Sequence, residues 1–163
     1  MSGFIEIVID GAAQAEARLA AAGLAIEGQK LLLTLAELGK NQTQRRLETE
    51  KTGPDGTAWP KTRDGRAALF VDGSHISANI QSAVEGHTAK WGISKAAFPG
   101  AMAHQFGATI VPVNVKVLVW GPEGARVHAK KVVIPARPYL GISADNTTEI
   151  ERTTLRFLSL VLQ

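Results

Sequence analysis

The chain has 163 residues, the size of one compact domain, and two independent domains would be cramped in it. With 45% hydrophobic and 20% charged residues it is not disordered throughout, and 18 Lys and Arg against 15 Asp and Glu leave a net charge of +3. The absence of cysteine removes disulfides, thiolate zinc sites, iron–sulfur clusters and cysteine nucleophiles together.

Residues Phe4 to Asp10 alternate with a period of two, Ile5, Ile7 and Ile9 on one side, and predict a strand. An alanine-rich stretch to Ala22 carrying Leu19 predicts a short helix that Gly23 ends. From Leu24 to about Leu47 a longer helix is expected, with Leu24, Leu31, Leu35 and Leu38 on one face. Its polar last turns, Gln42, Gln44, Arg45, Arg46 and Glu48, should project into solvent. Lys51 to Asp64 reads as a turn-rich loop anchored by Trp59, followed by the apolar run Leu69-Phe70-Val71 and a turn or cap at Asp72-Gly73-Ser74.

Ile80, Ser82 and Val84 then alternate on one arm and Ala89, Trp91 and Ile93 on another, with Glu85-Gly86-His87 as the hairpin turn between them. Pro99 to Gln105 predicts a short helix with Gly107 as its positive-φ stop. Val111, Val113, Val115, Val117 and Val119 fall on one face of a long strand. Gly121-Pro122-Glu123-Gly124 is a turn, and Arg126 to Ile134 returns. At about 3.4 Å per residue each arm would run roughly 30 Å, so this hairpin, residues 110–134, should overhang the domain. Asn146 and Glu149 have the spacing of a capping box opening a last helix with Ile150, Thr154, Phe157 and Val161 on one stripe.

The chain holds no phosphate-binding glycine loop, no H-E-x-x-H and no G-x-S-x-G elbow. His75, His87, His104 and His128 lie far apart without i,i+4 pairing, and Ser74 beside His75 is read as a cap rather than a nucleophile. No enzyme, metal or cofactor is therefore expected. No apolar run is long enough to cross a bilayer and Met1 to Asp10 lacks a basic leader, so a soluble, unprocessed protein is expected.

Charge is unevenly placed. Between Gly86 and Leu140 seven basic residues, Lys90, Lys95, Lys116, Arg126, Lys130, Lys131 and Arg137, face one acid, Glu123, a net +6 that leaves −3 for the rest. A basic stripe on a hairpin could track phosphates or meet an acidic protein surface, and lysines on strand edges also block aggregation. No aromatic residues alternate with these charges to stack bases, so a protein contact is favoured over DNA. An overhanging valine face would be left in water unless another chain covers it. The expected interface is Val113, Val115, Lys116, Val117, Arg126, His128, Lys130 and Lys131.

Four segments occur in a characteristic order: Gly53-Pro54-Asp55-Gly56-Thr57-Ala58-Trp59, then Asp72-Gly73-Ser74-His75-Ile76-Ser77-Ala78-Asn79-Ile80, then His104-Gln105-Phe106-Gly107, then Ile134-Pro135-Ala136-Arg137-Pro138-Tyr139-Leu140-Gly141. With the long helix before them they resemble the phage virion morphogenesis family, which includes the Mu-type G protein and the tail completion S proteins. The resemblance implies a non-enzymatic structural protein of a phage or prophage that completes the tail and joins it to the head. It also implies a ring of identical subunits touching tail tube and neck proteins in the virion. A capsid assembly factor and a basic DNA-binding accessory protein are the alternatives.

Taken together, the expected fold is one α+β domain over residues 1–163. It has an antiparallel sheet with a long helix packed on it, a C-terminal helix and a projecting β-hairpin. Ile134 and Arg137 each precede a proline and are held extended, which suits Arg137 to a bidentate salt bridge, expected within the subunit. Phe106 is expected to plug the core, and His104 and Gln105 to make polar contacts to backbone.

Overall fold

The computed structural model describes residues 4–8, 11–21, 23, 25–62, 65, 69, 76–94, 98, 100–121 and 123–161. The expectations placed on Ile9, Asp10, Leu24, Phe70, Val71, the Asp72 to His75 turn, Pro99 and Pro122 fall outside these residues.

The architecture is α+β. Strand β1 (Phe4–Val8) is followed by helices α1 (Ala12–Ala21) and α2 (Ala25–Arg45). A hairpin of β2 (Gln81–Glu85) and β3 (Thr88–Ser94) completes an antiparallel sheet of order β1-β3-β2, with Ile7 and Ser82 both opposite Trp91. Helix α2 lies across β2 and β3, with α1 on one flank and the C-terminal helix α4 (Ala144–Val161) also against it. Between them come α3 (Ala101–Phe106) and four short strands, β4 (Ala108–Ile110), β5 (Leu118–Trp120), β6 (Val127–Ala129) and β7 (Val132–Ile134).

The α2 stripe is the organiser. Leu31, Leu32, Leu35 and Ala36 are buried with Leu19 of α1, Ala89 of β3 and Ile150 of α4. One turn further on, Gly39 lets the Trp91 indole lie directly on the helix, since a Cβ there would sit 2.4 Å from the ring. Trp91 Nε1 donates to Thr43 Oγ1 at 3.1 Å, which fixes the ring in a second core with Leu47, Trp59, Ile93 and Tyr139.

Three local expectations need correction. The polar end of α2 does not project into solvent: Gln42, Thr43 and Arg46 are buried, and the helix closes in a π turn, Arg46–Glu50, at Lys51, whose φ is 57°. Arg46 lies eleven residues after Leu35, about 20° away on the helical wheel, so it stays on the buried stripe. The capping box of α4 sits three residues earlier than expected. Ser143 Oγ accepts from Asn146 N at 3.2 Å and Asn146 Oδ1 accepts from Ser143 N at 3.3 Å, while Glu149 pairs with Arg45 and Gln42.

The third correction concerns the long hairpin, which is two short ladders rather than one. The register Trp120↔Val127 is set at the tip, and Ala108↔Ile134 at the base, next to Pro135. Between those pinned ends the outgoing arm has residues 111–117 and the return arm only Lys130 and Lys131, so the surplus must bend away from the ladder. The alternation of valines carries strand propensity but no information about this mismatch in arm length.

Candidate functional site: a buried motif junction and the arm above it

Beyond Ile134, the last residue of β7, prolines 135 and 138 stiffen the segment to Gly141 and remove two backbone donors, and its remaining backbone groups find partners outside any strand ladder. Side chains from three distant parts of the chain supply them. Trp59 Nε1 donates to Pro138 O at 3.0 Å. Arg46 Nη1 donates to Tyr139 O at 3.0 Å and to Gly141 O at 2.9 Å, and its Nη2 to Asn146 Oδ1 at 2.6 Å. Gln105 brackets the same peptides, its Nε2 donating to Leu140 O at 3.1 Å and its Oε1 accepting from Tyr139 N and Leu140 N, both at 3.0 Å. Tyr139 is fully buried, its hydroxyl donates to Ala101 O at 3.2 Å, and burial pushes its pKa well above the usual range.

The Arg137 guanidinium meets loop carbonyls of its own chain rather than the expected carboxylate. Its Nε donates to Pro60 O at 2.9 Å and its Nη2 to Lys61 O at 3.2 Å, so the guanidinium clamps loop carbonyls, and among the described residues no carboxylate pairs with it. The backbone N–H of Arg137 donates to His104 O at 2.7 Å. Gly56, at φ 80°, closes the turn before Trp59. There Thr57 donates to the Asp55 carboxylate from both its backbone and its hydroxyl, which lowers the Asp55 pKa.

In α3, Ala101 and Gln105 face inward one turn apart, which sends Phe106 outward at 63% exposure. It is no core plug, and Gln105 and Tyr139 fill that role. Gly107 does have a positive φ, 76°, and an added Cβ would meet Ala136 N at 3.0 Å. The Gln105 side chain makes the backbone contacts expected of it. His104 instead stacks on Phe98 with ring centroids 6.1 Å apart. Its Nδ1 is buried without a hydrogen bond, and burial, then the Arg137 charge, hold its pKa below the ordinary value.

The arm contrasts with this interior. Val113 is 87% exposed and Val115 62%, Val117 is half-buried, and Lys116, Arg126, His128, Lys130 and Lys131 are all exposed. None of Lys116, Arg126, Lys130 and Lys131 is ion-paired with a described residue. In β6 His128 lies opposite Val119, with Arg126 and Lys130 just outside the two ends of the strand. Trp120, Val127 and Ala129 line an open cleft of about 790 Å³ with Thr62 and Val133. Ile110, Trp120 and Val133 are exposed apolar residues that the sequence reading missed; they lie within the arm's two ladders.

Among the described residues no group of three or more His, Asp or Glu could hold a metal ion, and no helix is long and apolar enough to cross a membrane. A sequence model of the phage virion morphogenesis family matches residues 10–159. The chain belongs to that family. Its role is accordingly a phage structural or assembly role, associated with the virion, in a family not typically enzymatic. No significant match was found among curated proteins or solved structures. Read on this member, the motif blocks of the virion morphogenesis chain around Trp59 and Gln105 meet at the block around Tyr139, whose backbone both of them bind.

Proposed function

We propose that this virion morphogenesis protein completes the phage tail and joins it to the head. In this reading it acts as a ring of identical subunits at the head-proximal end of the tail, in contact with tail tube and neck proteins. The observation that carries the reading is the division of labour between the two regions. The motif side chains Trp59, Gln105, Arg137 and Tyr139 are consumed in holding the fold, whereas the arm leaves Val113 and Val115 in water and carries Lys116, Lys130 and Lys131, exposed and without an ion pair among the described residues. Apolar surface of this kind with a cationic rim is what a protein partner covers.

Electron microscopy of a lysate from the parent phage lacking this gene tests the reading. Filled heads beside detached or overlong tails are expected, and missing or malformed heads would move the protein to capsid assembly. A second reading, contact with DNA, draws on the exposed basic residues Arg126, Lys130 and Lys131 close together on the arm. It requires a steeply salt-dependent DNA affinity that falls when Lys130 and Lys131 are neutralised.

A further inference from the structure

Residues 111–117 are rich in strand-forming valine yet unpaired. Among the described residues no backbone hydrogen bond outside the two ladders involves them, residues 113–117 form bends, and none of the seven has a positive φ that would bar an extended strand. Pro112 removes a donor from one side of the segment. In an extended strand successive residues point their N–H groups to opposite sides, so Val111, Val113, Val115 and Val117 present the side that can pair.

The same chain has an open edge of the matching kind. Strand β2 pairs only with β3 among the described residues. Glu85↔Thr88 flanks a two-residue turn, so Glu85, Ala83 and Gln81 direct their backbone groups at β3 and Ser82 and Val84 direct theirs outward. Among the described residues no backbone hydrogen bond leaves Ser82 or Val84 outside the ladder. The edge has none of the usual protections: no proline and no lysine, only Glu85 at its end, with Glu37 held beside it by the Ser82 hydroxyl. Both acids are already ion-paired within the subunit, Glu85 with Lys90 and Glu37 with Lys40, so the match between segment and edge rests on their backbone groups.

We propose that residues 111–117 become a strand on assembly by adding to the outer edge of β2 in a second copy of this chain. The proposal rests on the reading of the protein as a self-assembling ring and names the contact that builds it. Donor segment and acceptor edge are different surfaces of one subunit, so each copy gives a strand to one neighbour and takes one from the other, an arrangement that closes into a ring.

The donor alternation supplies the test. Val115→Pro removes an N–H from the pairing side, whereas Asn114→Pro removes one from the side Pro112 has already vacated. Neither breaks a backbone bond of the free subunit, and circular dichroism should show both folded. Light scattering should find oligomers for the unaltered chain and for N114P, and monomers for V115P. Because the chain has no cysteine, Ala83→Cys combined with Val113→Cys should give a ladder of covalent oligomers with a short bismaleimide, and neither single variant should. Oligomers that survive V115P, or that are lost equally in both proline variants, overturn the strand while leaving self-assembly standing. Crosslinking of the V113C single variant to itself, with nothing added by A83C, overturns β2 as the acceptor. An unaltered chain that remains monomeric at high concentration removes the self-assembly reading and this contact with it.

Discussion

Arg46 and Asn146 meet at 2.6 Å in the interior, joining the end of the long helix to the first turn of the C-terminal helix. The guanidinium is 1% exposed, and burial lowers its pKa, yet it remains a cation whose charge is spread over Tyr139 O, Gly141 O and Asn146 Oδ1, with Glu50 3.9 Å from Nε. Arg46→Met keeps most of the volume and leaves those acceptors unanswered. A loss of about 3–5 kcal/mol is expected from urea unfolding, the scale for breaking a buried charged network. A double-mutant cycle with Asn146→Ala should show strong coupling, and additive losses would mean that the pair does not act as one unit.

Gly39→Ala decides between two opposed effects. Alanine in place of glycine inside a helix ordinarily gains about 0.5–1 kcal/mol. Here the new methyl would lie 2.4 to 2.5 Å from three atoms of the Trp91 ring, which Thr43 holds in place. The clash should dominate, with a net loss of roughly 1–3 kcal/mol read as a lower thermal midpoint. Trp91→Leu in the same chain should make G39A less damaging, because the obstructing ring is gone.

Gln105→Ala strips the partner from Leu140 O, Tyr139 N and Leu140 N at once. Buried, these backbone groups have no water to turn to, and a loss of about 2–4 kcal/mol follows. For a chain of this length each kcal/mol moves the midpoint by about 2–4 °C, so calorimetry should find a drop of roughly 5–12 °C. Phe106→Ala, at an exposed position of the same short helix, should move it far less.

The sequence was legible where one periodicity met one environment. Ala89, Trp91 and Ile93 alternate into the core as their spacing predicts, and Ile150, Thr154 and Phe157 line the inner stripe of α4. It misled where polarity stood for exposure. Arg46 and Gln42 look like a solvated helix end, but they sit on the stripe of Leu31 and Leu35 and are buried with partners there: Arg46 donates to the carbonyls after Pro138, and Gln42 to Asn146 O and Glu149 in α4. Phe106 looks like a core residue, but a six-residue helix has room for one inward face and Ala101 with Gln105 take it. The arm's break followed from strand lengths that only the register reveals.

His104 should give stability a dependence on pH above the carboxylate range. Its folded pKa lies below the ordinary 6.5 because its ring is buried beside Arg137. Between the two values the unfolded chain binds more protons than the folded one, so stability rises with pH across that window and is level above it. Acidification from about pH 7.5 to about pH 5.5 should therefore lower the urea midpoint, and His104→Gln should flatten that slope. Glu149, beside Gln42 and Arg45, and Glu37, beside Lys40 and Ser82, have pKa values lowered from 4.5. Their stabilisation is lost only as pH falls below that value. An unchanged slope in H104Q would place the proton elsewhere.

Asp at both Val113 and Val115 separates folding from assembly. Both valines are well exposed in the free chain, so their replacement should change unfolding by no more than about 0.5 kcal/mol each. In a covered interface the same two carboxylates would have to be desolvated against apolar surface, a cost of several kcal/mol that a subunit contact could not absorb. The variant should be a folded monomer that fails to complement a phage lacking the gene, while Lys130→Ala with Lys131→Ala should weaken association chiefly at low salt. Infectious particles at normal yield from the double-Asp variant would show that the arm's valines are not where this protein meets its partners.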